Sequence, residues 1–249
     1  MQLQSGESAT DMPDQKNHGI LVINPNGNTQ VNVLIQSAAR RVLEADTVVT
    51  VMNPLNSPLS IEGPEDRRDA EPRAIRLLQN NPGYDAYMMA CFDDIAIDAG
   101  RSFLEVPVVA CVEAALIAAR FQARRFTIIT TVETMVPGIK KLLERFGLHR
   151  QCTVRAIGVG VAASANGSSH ISERINSSIR AARNEDGAKA IILGSAGLCG
   201  RARELSILHR LPVIDSIEAA LIQTETYSRT RAFSAHPRHL SSSRMLSGT

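Results

Sequence analysis

A thiol and a hydroxyl occupy matching places in a sequence that repeats itself. The segment Pro107-Val-Val-Ala-Cys-Val-Glu-Ala-Ala-Leu-Ile117 returns 105 residues later as Pro212-Val-Ile-Asp-Ser-Ile-Glu-Ala-Ala-Leu-Ile222. At a displacement of 104, Ala86-Tyr-Met-Met-Ala90 lies over Ala190-Ile-Ile-Leu-Gly194, which sets Cys91 opposite Ser195 at the ends of matching apolar runs. If each half of the repeat folds as a lobe, these ends meet across a cleft. Two proton-transferring groups would then address opposite faces of one small molecule. Cys91 is followed by Phe-Asp-Asp and a helical pattern, which places its sulfur beside a helix N-terminus, where a thiolate is favoured. A free cysteine is as readily a small buried hydrophobe; the repeat turns the reading toward chemistry. Ser195 lies in Gly194-Ser-Ala-Gly197, a turn whose amides can approach a ligand closely. It lacks the Gly-x-Ser-x-Gly spacing of a hydrolase elbow.

The elements that would carry these residues alternate. Strand patterns fall at 19–24, 47–51, 86–91 and 108–111, then at 126–130, 154–158, 188–194 and 212–215. Helical patterns fall at about 30–45, 66–80, 95–104, 113–123, 135–147, 169–185, 199–208 and 217–228. Such alternation predicts an α/β fold of parallel strands and crossover helices, here as two pseudo-symmetric four-stranded lobes with the site between them. Because the last helical pattern matches 113–123, each lobe is expected to borrow its closing helix from across the boundary. The first lobe is then 19–112 plus 217–227 and the second 113–216. Residues 1–18 read as a polar mobile leader, and 228–249, with Arg229, Arg231, Arg238 and Arg244, as a basic flexible tail.

Ligands of open parallel sheets bind beyond the carboxyl ends of strands. The loop Asn24-Pro-Asn-Gly-Asn-Thr29 sits at such an end and offers amides for a carboxylate or imide, besides ordinary capping by Asn28 or Thr29. Thr130 and Thr131 hold the corresponding place in the second half. Glu113 and Glu218 open equivalent helices, where a carboxylate suits the dipole, and are read as structural. Asp215 and Glu218 form an Asp-x-x-Glu pattern like a capping box. His149, His170 and His209 are read as solvated or core residues. Gly158-Val-Gly160 lacks the rest of a dinucleotide fingerprint, and no Walker sequence occurs.

The 249 residues can bury a substantial core, and 27 basic against 25 acidic residues leave a net charge of +2, which gives no reason to expect a nucleic-acid partner. No apolar run approaches the ~20 residues of a membrane span, and no signal-peptide core opens the chain, so a cytoplasmic protein without membrane partner is expected. The four cysteines, 91, 111, 152 and 199, show no zinc-ligand spacing, and no metal is expected.

Taken together, Ile23-Asn-Pro-Asn26 with Thr29, Ser60-Ile-Glu-Gly-Pro64, Ala90-Cys-Phe-Asp-Asp94, Pro107 to Ala115, Phe126 to Thr131 and Leu193-Gly-Ser-Ala-Gly-Leu198 resemble the aspartate/glutamate/hydantoin racemase superfamily, most closely its hydantoin and allantoin racemase branch. The resemblance spans residues 19–227. It implies no cofactor, a small-molecule substrate of hydantoin or allantoin type, self-association into a homo-oligomer, and two cysteines that remove and return a proton on opposite faces of a stereogenic carbon. Cys91 matches the first of these; Ser195 stands where the second is usual. A hydroxyl is a far weaker acid than a thiol, so Ser195 is expected to transfer protons poorly. Cys199, four residues on, is the other candidate for that role and reads more plainly as a buried helix cysteine. Leu59 stands where the family often has proline. Asn24, Ile61 and Thr131 are expected to line the pocket beside Gly194, and the backbone N–H groups of Phe92 and Ala196 to hold an enolate oxygen. The competing readings are a ligand-binding or regulatory relative that keeps the cleft without turnover, and a one-thiol isomerase or decarboxylase.

Overall fold

Alternation of strand and helix carries through the whole structure. The computed structural model describes residues 19–165 and 169–234. Its elements run β1 (Gly19–Ile23), α1 (Thr29–Val42), β2 (Val48–Met52), α2 (Pro64–Gln79), β3 (Ala86–Met89), α3 (Ile97–Phe103), β4 (Val108–Ala110) and α4 (Cys111–Gln122). There follow β5 (Phe126–Thr130), α5 (Val136–Arg145), β6 (Cys152–Ala156), α6 (Val161–Ala165), α7 (Ser169–Asn184), β7 (Ala190–Leu193), α8 (Ala202–His209), β8 (Val213–Asp215) and α9 (Ser216–Ser234). Single 3-10 turns lie at Glu133–Met135 and Ala196–Leu198.

The strands form two sheets of four, ordered β2-β1-β3-β4 and β6-β5-β7-β8, and every pairing is parallel. The two sheets therefore have the same topology, as the repeat predicts. Their backbone bonds match as well. Ala90 N–H donates to Ile23 and Gly194 N–H to Ile129, both at 2.8 Å, while Tyr87 donates to Pro107 and Ile191 to Pro212. Cys91 and Ser195, each the next residue after such a bond, thus leave their sheets at equivalent points.

Side chains alternate across a strand, so each central strand feeds two cores. Ile20 and Val22 of β1 face inward with Ile128 of β5, joining Ile35, Leu116, Ile139 and Leu221 of helices between the sheets in one cluster shared by both lobes. Leu21 and Ile23 face outward to Ala70, Ala74 and Leu78 of α2 and Ile97 of α3, and Ile129 faces Ile175 and Ile179 of α7 and Leu205 of α8. Strands buried on both faces explain the unbroken apolar runs in the sequence. Among the closing helices, α9 packs on β1, β3 and β4 of the first sheet, and α4 on β7 of the second. Their first-turn carboxylates form matching ion pairs, Arg101 with Glu113 at 2.9 Å and Arg41 with Glu218 at 2.8 Å. Asp215 Oδ1, accepting from the N–H groups of Ile217 and Glu218, caps α9, so Glu218 is freed for its ion pair.

Four sequence expectations are displaced. The strand expected at 154–158 runs two residues earlier, and α8 begins at Ala202 rather than 199 because a 3-10 turn and Gly200, at φ +87, intervene. The short helix α6 has no counterpart in the sequence reading. Residues 228–234, expected in the tail, continue α9, and Arg229 is paired with Asp46 and Glu225. The leader 1–18 and residues 235–249 of the tail lie outside the described residues.

Candidate active site

In each sheet the chain order reverses between its two central strands, and ligands of open α/β sheets bind beyond the carboxyl ends at such a switch point. Here two switch points face one another. The loops leaving β1, β3, β5 and β7 converge on one cavity of about 30 Å³, lined by Asn26, Ile61, Ala90, Cys91, Phe92, Thr130, Thr131, Met135, Val161, Gly194, Ser195 and Ala196. Cys91, Ser195, Ile61, Phe92, Thr131, Gly194 and Ala196 are thus brought together as the sequence suggests.

Asn24 is not among them. It is fully buried, and its Nδ2 lies 3.0 Å from Asn26 Oδ1, 2.9 Å from Asn32 Oδ1 and 3.2 Å from the Asn28 carbonyl. It ties the β1–α1 loop to itself and leaves the cavity to Asn26. Asn26 Oδ1 also accepts from the Asn28 N–H at 2.9 Å, so its Nδ2 is the end left for a ligand. Asn28 caps α1 by accepting from Gln30 at 3.0 Å. The loop packs so tightly that a Cβ on Gly27 would stand 2.6 Å from the Ser57 carbonyl.

The thiol environment differs from the sequence expectation. No helix begins beside Cys91; residues 91–96 form a loop, and α3 starts only at Ile97 because Asp94 (φ 40) and Ala96 (φ 59) are left-handed. Burial pushes the Cys91 thiol well above its ordinary value, and the Asp93 carboxylate adds to this, while the Arg67 guanidinium and the Asp93 backbone pull it back. The resting group is a neutral thiol, not a thiolate. Asp93 is itself raised by burial and drawn down by Arg67, at 2.9 Å. Asp94 reaches across to Arg145 of α5; burial first, then the Glu113 charge, lifts its carboxyl to about 6 against the pull of Arg145.

Ser195 Oγ accepts from the Gly197 N–H at 3.3 Å. Cys199 does not substitute for it: its sulfur points away from the cavity toward the Leu34 carbonyl, 3.9 Å away, and burial with Asp215 nearby holds it strongly protonated. Among the residues lining the cavity, Cys91 alone carries a titratable side chain.

A strap joins the two lobes beside the cavity. The β2–α2 loop places Ile61 in the cavity wall, and Glu62 then crosses to the other lobe, where its carboxylate accepts from the Val161 N–H at 2.8 Å and its carbonyl from Thr134 Oγ1. Asn26, Ala90, Thr130, Met135 and Val161 are the lining residues outside the set that the sequence singled out; Ala90 and Thr130 are strand-end neighbours of Cys91 and Thr131. Asn26 and Met135 lie in segments already marked as a loop and a helix start; Val161 carries no local signal. A larger groove, about 880 Å³, lies elsewhere, along the outer edge of β6 between α5 and α7.

The family model described as Asp/Glu/Hydantoin racemase matches residues 20–224, that is, most of the chain and every loop that reaches the cavity. The chain belongs to the Asp/Glu/hydantoin racemase family. It is 35% identical over 209 residues to a hydantoin racemase of Rhizobium meliloti, covering 83% of this chain and 87% of that one. A hydantoin racemase of Paenarthrobacter aurescens is 34% identical over 206 residues, covering 81% and 87%. In structure, an allantoin racemase from Klebsiella pneumoniae superimposes with a TM-score of 0.81 at 32% identity, covering 92% of this chain and 96% of that one. Membership of this racemase family makes the chain an isomerase acting on a small molecule. No helix among the described residues is long and apolar enough to cross a membrane.

Proposed function

We propose that this racemase acts on a hydantoin-type or allantoin-like ring, with Cys91 transferring the proton at the stereogenic carbon and Ser195 standing on the opposite face. The observation that carries this reading is that repeat-equivalent strand ends deliver one thiol and one hydroxyl to a single cavity. The relatives named above supply the substrate class. Asn26 Nδ2 suits an imide carbonyl, and the N–H groups of Phe92 and Ala196 suit the enolate oxygen that develops as the proton leaves; such donors are each worth a few kcal/mol.

A space of about 30 Å³ admits a water molecule or two, against the ~300 Å³ or more of ordinary ligand pockets. Substrate binding therefore requires the cavity to widen, and the Glu62 strap, which ties Ile61 of the wall to the other lobe, is the segment whose release would do so. The thiol then meets the substrate as a neutral acid or, in its minor ionised form, as a base. A serine hydroxyl without an adjacent base is a poor partner for either step. Proton exchange at the carbon is thus faster than inversion.

One enantiomer of a 5-substituted hydantoin, incubated in heavy water, tests this. Deuterium uptake that outruns loss of optical rotation, with Ser195→Cys raising inversion toward exchange and Cys91→Ala abolishing both, is the expected result. Tight binding of the hydantoin with no exchange in either wild type or Ser195→Cys would instead establish a binding protein.

A further inference from the structure

We propose that Arg67 and Glu71, one turn apart on α2, position the Cys91 sulfur, with Arg67 the cation that faces it. The inference rests on reading Cys91 as the proton-transfer group. Arg67 Nη1 donates to the Asp93 carbonyl at 2.6 Å and pairs with the Asp93 carboxylate at 2.9 Å. Its Nη2 pairs with Glu71 Oε1 at 3.3 Å, and that same oxygen accepts the Ala96 N–H at 2.9 Å. Helix α2 thus grips the thiol loop two and five residues beyond the cysteine. Between and at those anchors lie Asp94 and Ala96, two non-glycine residues in left-handed conformation. Such backbone persists only where its surroundings over-determine it, and it clusters at functional sites. The two α2 side chains provide that constraint for the segment that aims the sulfur and Phe92 into the cavity.

The charges around the sulfur give the arrangement a chemical direction. On its own loop stand Asp93 and Asp94, both unfavourable to a thiolate, while α2 supplies Arg67 with Glu71 behind it. Arg145 of α5, Arg101 of α3 and Glu113 of α4 act at one remove through Asp94, and Cys111 of α4 is a buried neutral thiol held by the Met89 carbonyl at 3.2 Å. Arg67 therefore opposes the Asp93 carboxylate, which it pairs at 2.9 Å two residues beyond the cysteine. Removing either member of the Arg67–Asp93 pair breaks the same ion pair, yet moves the thiolate population in opposite senses. A merely structural anchor would move both variants the same way.

The test is the rate of Cys91 alkylation by iodoacetamide at pH 8, located by mass spectrometry on the full chain, where the other three cysteines are buried. Below a thiol's pKa, one pKa unit changes the thiolate fraction, and with it the rate, by about tenfold. Arg67→Gln is expected to slow alkylation by about that factor and Asp93→Asn to speed it. Rates that move together, or an Arg67→Gln rate equal to wild type, overturn the proposal. Should Arg67→Gln fail to fold by circular dichroism, Arg67→Lys, which keeps the charge, is expected near the wild-type rate and Asp93→Asn above it; any other order is again a refutation. The readout needs no turnover, so failure here is distinct from absence of exchange with hydantoins.

Discussion

Replacing Asp94 by Asn should change the pH dependence of the whole fold. The Asp94 side chain is 3% exposed, pairs through one oxygen with Arg145, and its Oδ1 has no hydrogen-bond partner among the described residues. Its carboxyl titrates near 6 in the folded protein against 3.8 ordinarily. Below about pH 4 both folded and unfolded chains carry the proton, and the carboxyl exacts no penalty. Between about 4 and 6 the folded state binds more protons than the unfolded, so stability falls as pH rises. Above 6 both are ionised and the full difference has been lost, about 3 kcal/mol at about 1.4 kcal/mol per pKa unit. Against the 5–15 kcal/mol that typically separates folded from unfolded domains, that is a large share. Asn is nearly the shape of the protonated acid and never ionises. The variant should therefore match wild type near pH 4 and exceed it by about 3 kcal/mol at pH 7. The chain has no tryptophan, so urea unfolding followed by far-UV circular dichroism is the suitable assay, with both proteins measured from pH 4 to 7.5. Other titrating groups contribute alike to both and cancel in the difference. A difference that stays constant across this range refutes the reasoning.

Other substitutions probe the walls of the site. A Cβ on Gly194 would stand 2.6 Å from Ile128 Cγ2 and 3.1 Å from the Phe92 ring, so Gly194→Ala should cost about 1–3 kcal/mol of stability by overpacking and shift Phe92, visible in a thermal melt and in weakened hydantoin binding. Glu62→Ala removes the acceptor of the Val161 N–H; hydrogen exchange should show that amide losing protection while Ile129 of β5 keeps its own, and equal protection in both proteins would show that the strap does not hold. Cys199→Ala, whose sulfur lies off the cavity, should retain the exchange activity that Cys91→Ala loses, measured by deuterium uptake at matched folded concentration.

The sheets and their pairing were legible because strands buried on both faces write unbroken apolar runs, and because the repeat carries its own alignment. The displacement of 104 that places Cys91 opposite Ser195 is the same displacement that relates β3 to β7. What escaped notice is non-local or too short to have a period. Helix α6 is five residues, Val-Ala-Ala-Ser-Ala, less than two turns of pattern, and its first N–H is satisfied by Glu62, 99 residues away. Asn24 and Asn26 are alike in type and neighbours in one loop; only the closing of that loop on Asn32 decides which faces the ligand. The Cys91 surroundings were misread for a related reason. Two left-handed residues delay α3, and the charges that matter come from α2 and α5, neither of which the sequence connects to the cysteine.

The exchange of closing helices bears on what could be made from pieces of this protein. A chain severed between α4 and β5 would leave the first sheet stripped of α9 on its inner face and still trailing α4, whose apolar stripe belongs against β7. The second fragment would carry the opposite defect, a surplus α9 and a bare sheet. Each half is expected to need the other, and gene fragments split at that point should yield ordered protein only when both are made together.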